Sequence, residues 1–303
     1  MTKIMQTCQL YRALWAGALV ALLLAILPMP SFGQTLDTAA ITDVLGRNGQ
    51  MLSGDVYKVG FPRTDLKVSV GGVVLKPGLA LGSYAVFKQY PNGTLVMGDL
   101  VLLSNEVEPV MKALEENGIQ ITALHNHLLE ANPRIWYMHY MGLGEARKLA
   151  VIIGRALAYS KTPLGPTTAA AAAPSPWFET PVEQALGHQG KVAGGVLSIS
   201  VPRAVDETSG GMTTPAAMGT AEAMNFQDAG NGKVATTGDF SLTADEVAPA
   251  LRALRDHDID VEALHSHMLD DNPRLFYVHW WAVGDPGTIA TGLKAALDHI
   301  HTR

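Results

Sequence analysis

The chain has 303 residues, with 22 basic against 28 acidic side chains, a net charge of −6, ten histidines and one cysteine. An acidic balance argues against nucleic acid or an anionic membrane surface as partner, and a single cysteine excludes a disulfide framework and thiolate metal ligation. Hydrophobic residues make up 48%, enough for one large or two ordinary cores at this length.

Residues 1–33 read as a secretory signal. Lys3 and Arg12 form a basic start, and Ala13 to Leu27 is an apolar run too short to cross a bilayer comfortably. Ser31 and Gly33 then stand at −3 and −1 of a cleavage site. The competing reading is an uncleaved membrane anchor. Cys8 precedes the apolar run, so it is not a lipidation site, and cleavage near Gly33 leaves a cysteine-free chain. Losing Lys3 and Arg12 and no acid takes the net charge to −8. A periplasmic or secreted protein with no membrane span is expected.

Val56–Val59 and Leu66–Leu75 alternate and are rich in β-branched residues, the signature of strands. Ser83–Gln89 and Thr94–Leu103 flank the turn residues Pro91-Asn92-Gly93, which predicts a hairpin. A helix follows from Ser104, with Glu106 and Glu108 at its positive end and Asn117-Gly118 as its stop. Ile119–Leu129 and Ile135–Met141 read as strands, and Glu145–Leu157 as a closing amphipathic helix.

Tyr159 to Pro181 holds five prolines and a run of five alanines, a semi-rigid connection that is no continuous helix. Beyond it the first pattern returns at an offset near 140. Leu45-Gly46 answers Leu186-Gly187, Pro62-Arg63 answers Pro202-Arg203, Gly98-Asp99 answers Gly238-Asp239, and Glu106-Val107 with Pro109 answers Glu246-Val247 with Pro249. So long a period means a duplicated domain, not a solenoid. The expected organisation is a first repeat at 41–157, a linker at 158–181 and a second repeat at 182–300. The expected fold is α+β: two similar repeats, each a mainly antiparallel sheet with two helices, related by a pseudo-two-fold.

Six of the ten histidines fall in the best-kept segment. ALHNHLLEANPRIWYMHYMGLG, from Ala123, returns as ALHSHMLDDNPRLFYVHWWAVG from Ala263, so His125, His127 and His139 recur as His265, His267 and His279. A fold needs apolar residues to repeat, not imidazoles in threes. On a strand, i and i+2 share a face, and the short Asn-Pro-Arg connection brings the third histidine back alongside. Such a triplet suits a divalent transition metal, with zinc first, and leaves a coordination position open. The bland reading is a buried polar network between two similar domains.

Neighbouring candidates are weaker. Glu130 and Asp270 are each a fourth ligand, a base, or an acid paired with Arg134 or Arg274. Those arginines are candidates for a small anionic ligand near the metal. Tyr137 and Tyr277 share the third histidine's face and are hydrogen-bond donors or core. Asp99 and Asp239 are explained as well by a turn or a buried hydrogen bond, and His299 and His301 by a helix C-terminus.

At Leu79-Ala80-Leu81-Gly82-Ser83, Val96-Met97-Gly98-Asp99-Leu100 and Ala123-Leu124-His125-Asn126-His127, with Pro133-Arg134 and His139 downstream, the chain resembles the LppY/LpqO family of bacterial exported proteins. The resemblance implies a duplicated domain of unknown function and no catalytic residues. Named members are lipoproteins; this chain has no cysteine at its cleavage site, so lipid anchoring is not implied. Three functions then compete. The first is an exported metal-binding protein for sensing, buffering or resistance. The second is a hydrolase with a metal-bound water, and the third a metal-free interaction module.

Overall fold

The computed structural model describes residues 35–166 and 174–303. The signal assigned to 1–33 and the five-alanine run lie outside the described residues. No helix among the described residues is long and apolar enough to cross a membrane.

The first repeat opens with α1 (Thr38–Leu45), strands β1 (Gln50–Leu52) and β2 (Val56–Pro62), and a small hairpin, β3 (Ser69–Val70) and β4 (Val73–Val74). A single turn, α2 (Pro77–Ala80), leads into β5 (Gly82–Tyr90), β6 (Gly93–Leu103), α3 (Ser104–Glu115), β7 (Gln120–His125), β8 (Ile135–Gly144) and α4 (Ala146–Leu157). The second repeat runs in the same order: α5 (Glu179–Leu186), β9 (Lys191–Ala193), β10 (Val196–Val201), the hairpin β11 (Glu207–Ser209) and β12 (Met212–Thr214), and a 3-10 turn at Ala216–Met218. It closes with β13 (Glu222–Gly230), β14 (Lys233–Leu242), α6 (Ala244–Asp256), β15 (Asp260–His265), β16 (Phe276–Gly284) and α7 (Pro286–Leu297).

Each repeat forms one six-stranded antiparallel sheet, ordered β1-β2-β5-β6-β8-β7 in the first and β15-β16-β14-β13-β10-β9 in the second. The fold is α+β with two similar repeats. Besides the two long helices read from the sequence, α1 and α5 open the repeats. Eight residues carry too little apolar periodicity to announce a helix. Their ends were visible as the repeated Leu-Gly pairs: Gly46 and Gly187 cap α1 and α5 in the left-handed region, at φ 64° and 74°.

Two strand expectations need correction. Leu66–Leu75 is not one strand, because Gly71 and Gly72, both at positive φ, fold it into the β3–β4 hairpin. Strand β7 stops at His125 instead of running to Leu129, since Leu128 turns down into an apolar cluster shared by the two repeats. Met268 does the same in the second repeat.

Side-chain alternation separates the two faces of each sheet. On β8, Met138 and Tyr140 join the core under α1, α3 and α4, while Tyr137 and His139 face the other way. On β16, Val278 and Trp280 pack under α5, α6 and α7, while Tyr277 and His279 face away from them. Those second faces meet. Val68, Leu79, Leu128 and Tyr137 pack with Val196, Ala235 and Trp281, and, reciprocally, Val56, Val86, Leu95 and Met97 pack with Met218 and Met268. The small hairpins reach across: Gln227 Nε2 donates to the Val74 carbonyl at 2.9 Å, and the Tyr90 hydroxyl donates to the Thr213 carbonyl.

The repeated Pro-Arg and Glu residues form a buried ion pair in each repeat. Arg63 donates to Glu106 at 2.7 Å and to the Val101 carbonyl at 2.7 Å. Arg203 pairs with Glu246 at 2.9 Å and donates to the Ser241 carbonyl. Glu106 also accepts from the Leu103 and Lys161 amides, tying the start of α3 to the chain beyond α4. Arg63→Met strands that carboxylate, and breaking a buried pair on one side costs about 3–5 kcal/mol. Urea unfolding should show a loss of that size, and a change below about 1 kcal/mol would contradict it.

Candidate metal centre

The register places the histidines before any rotamer is chosen. His139 on β8 lies between Asp99 on β6 and Ala123 on β7, and His125 lies opposite Tyr137, so all share the face turned towards the other repeat. His279 lies between Asp239 and Ala263, with His265 opposite Tyr277. His127 and His267 sit just past the ends of β7 and β15.

The sequence suggests two clusters, one per repeat; the sheets bring them face to face in one. His125 lies against His265, tilted by 32° with ring centroids 3.6 Å apart, while His127 stacks on His279 at 3.5 Å and His139 on His267 at 3.8 Å. Two sets of nitrogens lie within 4.8 Å of one another and could hold a metal ion: His125, His127 and His139, and His125 with His265, His267 and His279. His125 belongs to both.

The Nε2 atoms of all six are buried without a hydrogen-bond partner. Unpartnered buried ring nitrogens are costly and rare, so six of them gathered in two overlapping sets call for a partner. His279 shows how the lone pair is presented. Its Nδ1 lies 2.8 Å from the Gly238 carbonyl, which fixes the proton on Nδ1 and leaves Nε2 as acceptor. Gly238 has no room for a side chain: a Cβ would lie 1.9 Å from the Ala223 carbonyl oxygen and 2.6 Å from Trp280.

Burial holds all six imidazoles below the usual histidine range, His125 at about 4 and His265 at about 3, and charge on neighbouring rings would push most of them down further. The rings are therefore neutral at pH 7, the state that binds metal. Tyr137 stacks on His127 at 3.4 Å and Tyr277 on His267 at 3.5 Å, clamping the two residues that lack strand support. The Tyr137 hydroxyl donates to the Ala80 carbonyl at 2.7 Å.

Two residues that sequence reasoning ranked as weak belong to this centre. Asp99 Oδ2 lies 3.9 Å from His139 Nε2, and Asp239 carboxylate oxygens lie 3.9 Å from His267 Nε2 and 3.8 Å from His279 Nδ1. Each keeps a buried oxygen without a partner. Burial raises the Asp99 carboxyl to about 7 and pushes Asp239 well above its ordinary value, the latter helped by Glu222 and Asp99. Their repetition after glycine was the available signal; the cross-strand register to histidine was not.

The remaining candidates lie elsewhere. Glu130 and Arg134 are exposed, and no ion pair joins them among the described residues. Asp270, also exposed, accepts from Ser209 and from the Gly210 amide at 3.3 Å. Arg274 donates to the Met268 and Leu269 carbonyls and pairs with Asp271 at 2.9 Å, so its acid is Asp271 and not Asp270. His301 pairs with Glu246 at 2.6 Å.

A cavity of about 460 Å³ opens beside the histidines, between the two sheets, with His127, His139, Asp99 and Asp239 in its wall. Its size is that of a small-molecule site.

The family described as a Domain of Unknown Function (DUF1259) matches residues 39–159 and again 180–299, and the chain belongs to it. No curated protein matches the sequence. Two solved structures are similar to it at low identity. A trimeric bacterial microcompartment shell protein PduB shares 11% identity over 84% of this chain and 91% of its own, with a TM-score of 0.21. EtuB from Clostridium kluyveri shares 10% over 82% and 88%, with a TM-score of 0.20. At these scores nothing of either protein is carried over to this chain.

Proposed function

We propose that this member of the DUF1259 family is an exported metal-binding protein whose two repeats jointly build one histidine centre for a divalent transition metal, zinc first. The observation that carries the reading is the set of six buried, partnerless Nε2 atoms. An interaction module with packed polar groups would pair them with each other or with carbonyls; their spacing instead suits atoms that share an ion. His125, His127, His139, His265, His267 and His279 are the proposed ligands, and Asp99 and Asp239 the adjoining carboxylates. The export half rests on the basic, apolar and small-residue succession of 1–33 and on the LppY/LpqO resemblance.

A second reading, metal-dependent hydrolysis, is favoured by the cavity against the centre. A divalent cation supplies Lewis acidity when bound. Asp99 and Asp239, which line the cavity and each keep one buried oxygen without a partner, are the groups placed to hold a proton there. Glu130 and Asp270 are too exposed for that part.

Elemental analysis of protein purified from its own compartment should show a near-stoichiometric transition metal. Protein stripped by chelator should take up zinc with a higher melting temperature, by the mass-action gain of a ligand that binds only the folded state. A folded protein with no metal and no zinc-dependent shift would leave the interaction module as the answer.

A further inference from the structure

The cavity is a product of asymmetry between the repeats. Cross-strand register makes Val86 and Met97 the counterparts of Asn225 and Thr237, and Lys58 the counterpart of Ser198. In the first sheet Val86 and Met97 are buried in an apolar cluster with Met218 and Met268. In the second, Asn225 and Thr237 line open space. The Thr237 hydroxyl is buried there without a partner. A duplicated fold that simply kept its core would have kept the apolar pair.

Chemistry at the walls is equally one-sided. Lys58 is half-buried; its ammonium forms no hydrogen bond or ion pair among the described residues and rests 4.2 Å from the centre of the Tyr84 ring. Cation–π contact holds the charge in place without neutralising it. Asp99 and Asp239 on the histidine side bring carboxyl groups to the lining, each with one buried oxygen that lacks a donor. The helical turns that border the space, Pro77–Ala80 and Ala216–Met218, are only four and three residues long, and Lys58 is the one lysine or arginine in its lining, which speaks against a phosphate dianion needing many N–H donors. The complement is a molecule with one anionic group for Lys58 and several hydroxyls for the acceptors.

We propose that this cavity binds a small polyhydroxylated carboxylate, a sugar acid by class, with its carboxylate on Lys58 and its hydroxyls towards Asp99, Asp239 and Thr237. The proposal rests on the metal reading for what occupies the histidine wall, and otherwise stands on the cavity alone. It also moves the anion site expected from the sequence. Arg274 is engaged by backbone carbonyls and Asp271, and Arg134 is exposed, whereas Lys58 is free and enclosed.

Gluconate is the probe, titrated calorimetrically into zinc-loaded and zinc-free protein, with sorbitol lacking the carboxylate and acetate lacking the hydroxyls. Gluconate should bind better than either. Lys58→Ser, which installs the second repeat's own residue, should weaken it by about tenfold or more, the worth of a hydrogen bond to a charged group. Thr237→Met, which installs the first repeat's residue, should abolish it by filling the space. Both variants should keep wild-type zinc content, because neither residue is a proposed ligand. Equal binding of sorbitol, an unchanged Lys58→Ser affinity, or no gluconate binding to folded protein would overturn the proposal. Gluconate binding without zinc uptake would sink the metal reading and spare the cavity.

Discussion

Replacing His125, His127 and His139 together by alanine is expected to strip metal from the whole centre, not from half of it. The reason is geometric. His125 belongs to both sets of nitrogens placed to share an ion, and each ring of one repeat lies against a ring of the other. Removing one triplet therefore removes ligands and also unstacks the histidines left behind. Even a partner that only orients a ligand is worth roughly 10–100-fold in affinity, so losing direct ligands should cost more than that. His125→Ala alone should already lower affinity for both sets, whereas Arg134→Ala should change it little, since that side chain is exposed. Competition against a chromophoric chelator measures the affinities, and circular dichroism checks the fold. Retention of half the wild-type metal at unchanged affinity in the triple variant would establish two independent centres and contradict the joint site.

How much of this was legible beforehand follows from what repeats and what does not. Three imidazoles kept at identical spacing have no structural excuse, so the six histidines could be named from sequence. The convergence of the two triplets could not. It depends on which face each sheet turns to the other, and Tyr137 and Tyr277 read equally well as core or as site. Asp99 and Asp239 recur as faithfully as the histidines, yet only the β6–β8 and β14–β16 register sets them beside His139 and His279. The paired Arg63 and Glu106 were visible as repeated residues, but they lie 43 positions apart and nothing local links them. Lys58 was hidden for the opposite reason: its counterpart is Ser198, and a search for what recurs passes over what one repeat has alone. The strand expected to reach Leu129 failed where tertiary burial of Leu128 outweighed local alternation.

Metal-free protein is expected to unfold in acid at a higher pH than metal-loaded protein. An unfolded histidine takes its proton near pH 6.5. The folded rings resist protonation down to about 4 at His125 and about 3 at His265, and the other four are likewise held below their ordinary value by burial. The unfolded chain therefore binds more protons below pH 6.5. The stability these neutral rings contribute is full above that value and falls as pH drops towards 4, by about 1.4 kcal/mol per pH unit for each proton of difference. Buried carboxyls work the other way. Asp99 at about 7, and Glu207 and Glu222 at about 8, hold protons in the folded state that the unfolded chain has released, so their share is lost as pH rises through 7 and 8. Stability of the metal-free protein should thus peak near neutrality, with the acid limb steepening below about pH 4.5, where unfolded carboxylates protonate too and cease to offset the histidines. Zinc adds stability that persists until protons outcompete it for the imidazole lone pairs, which displaces the acid limb downward. Circular dichroism against pH, with zinc and with chelator, reads both limbs. Coincident acid midpoints in the two conditions would show that the six rings carry no metal.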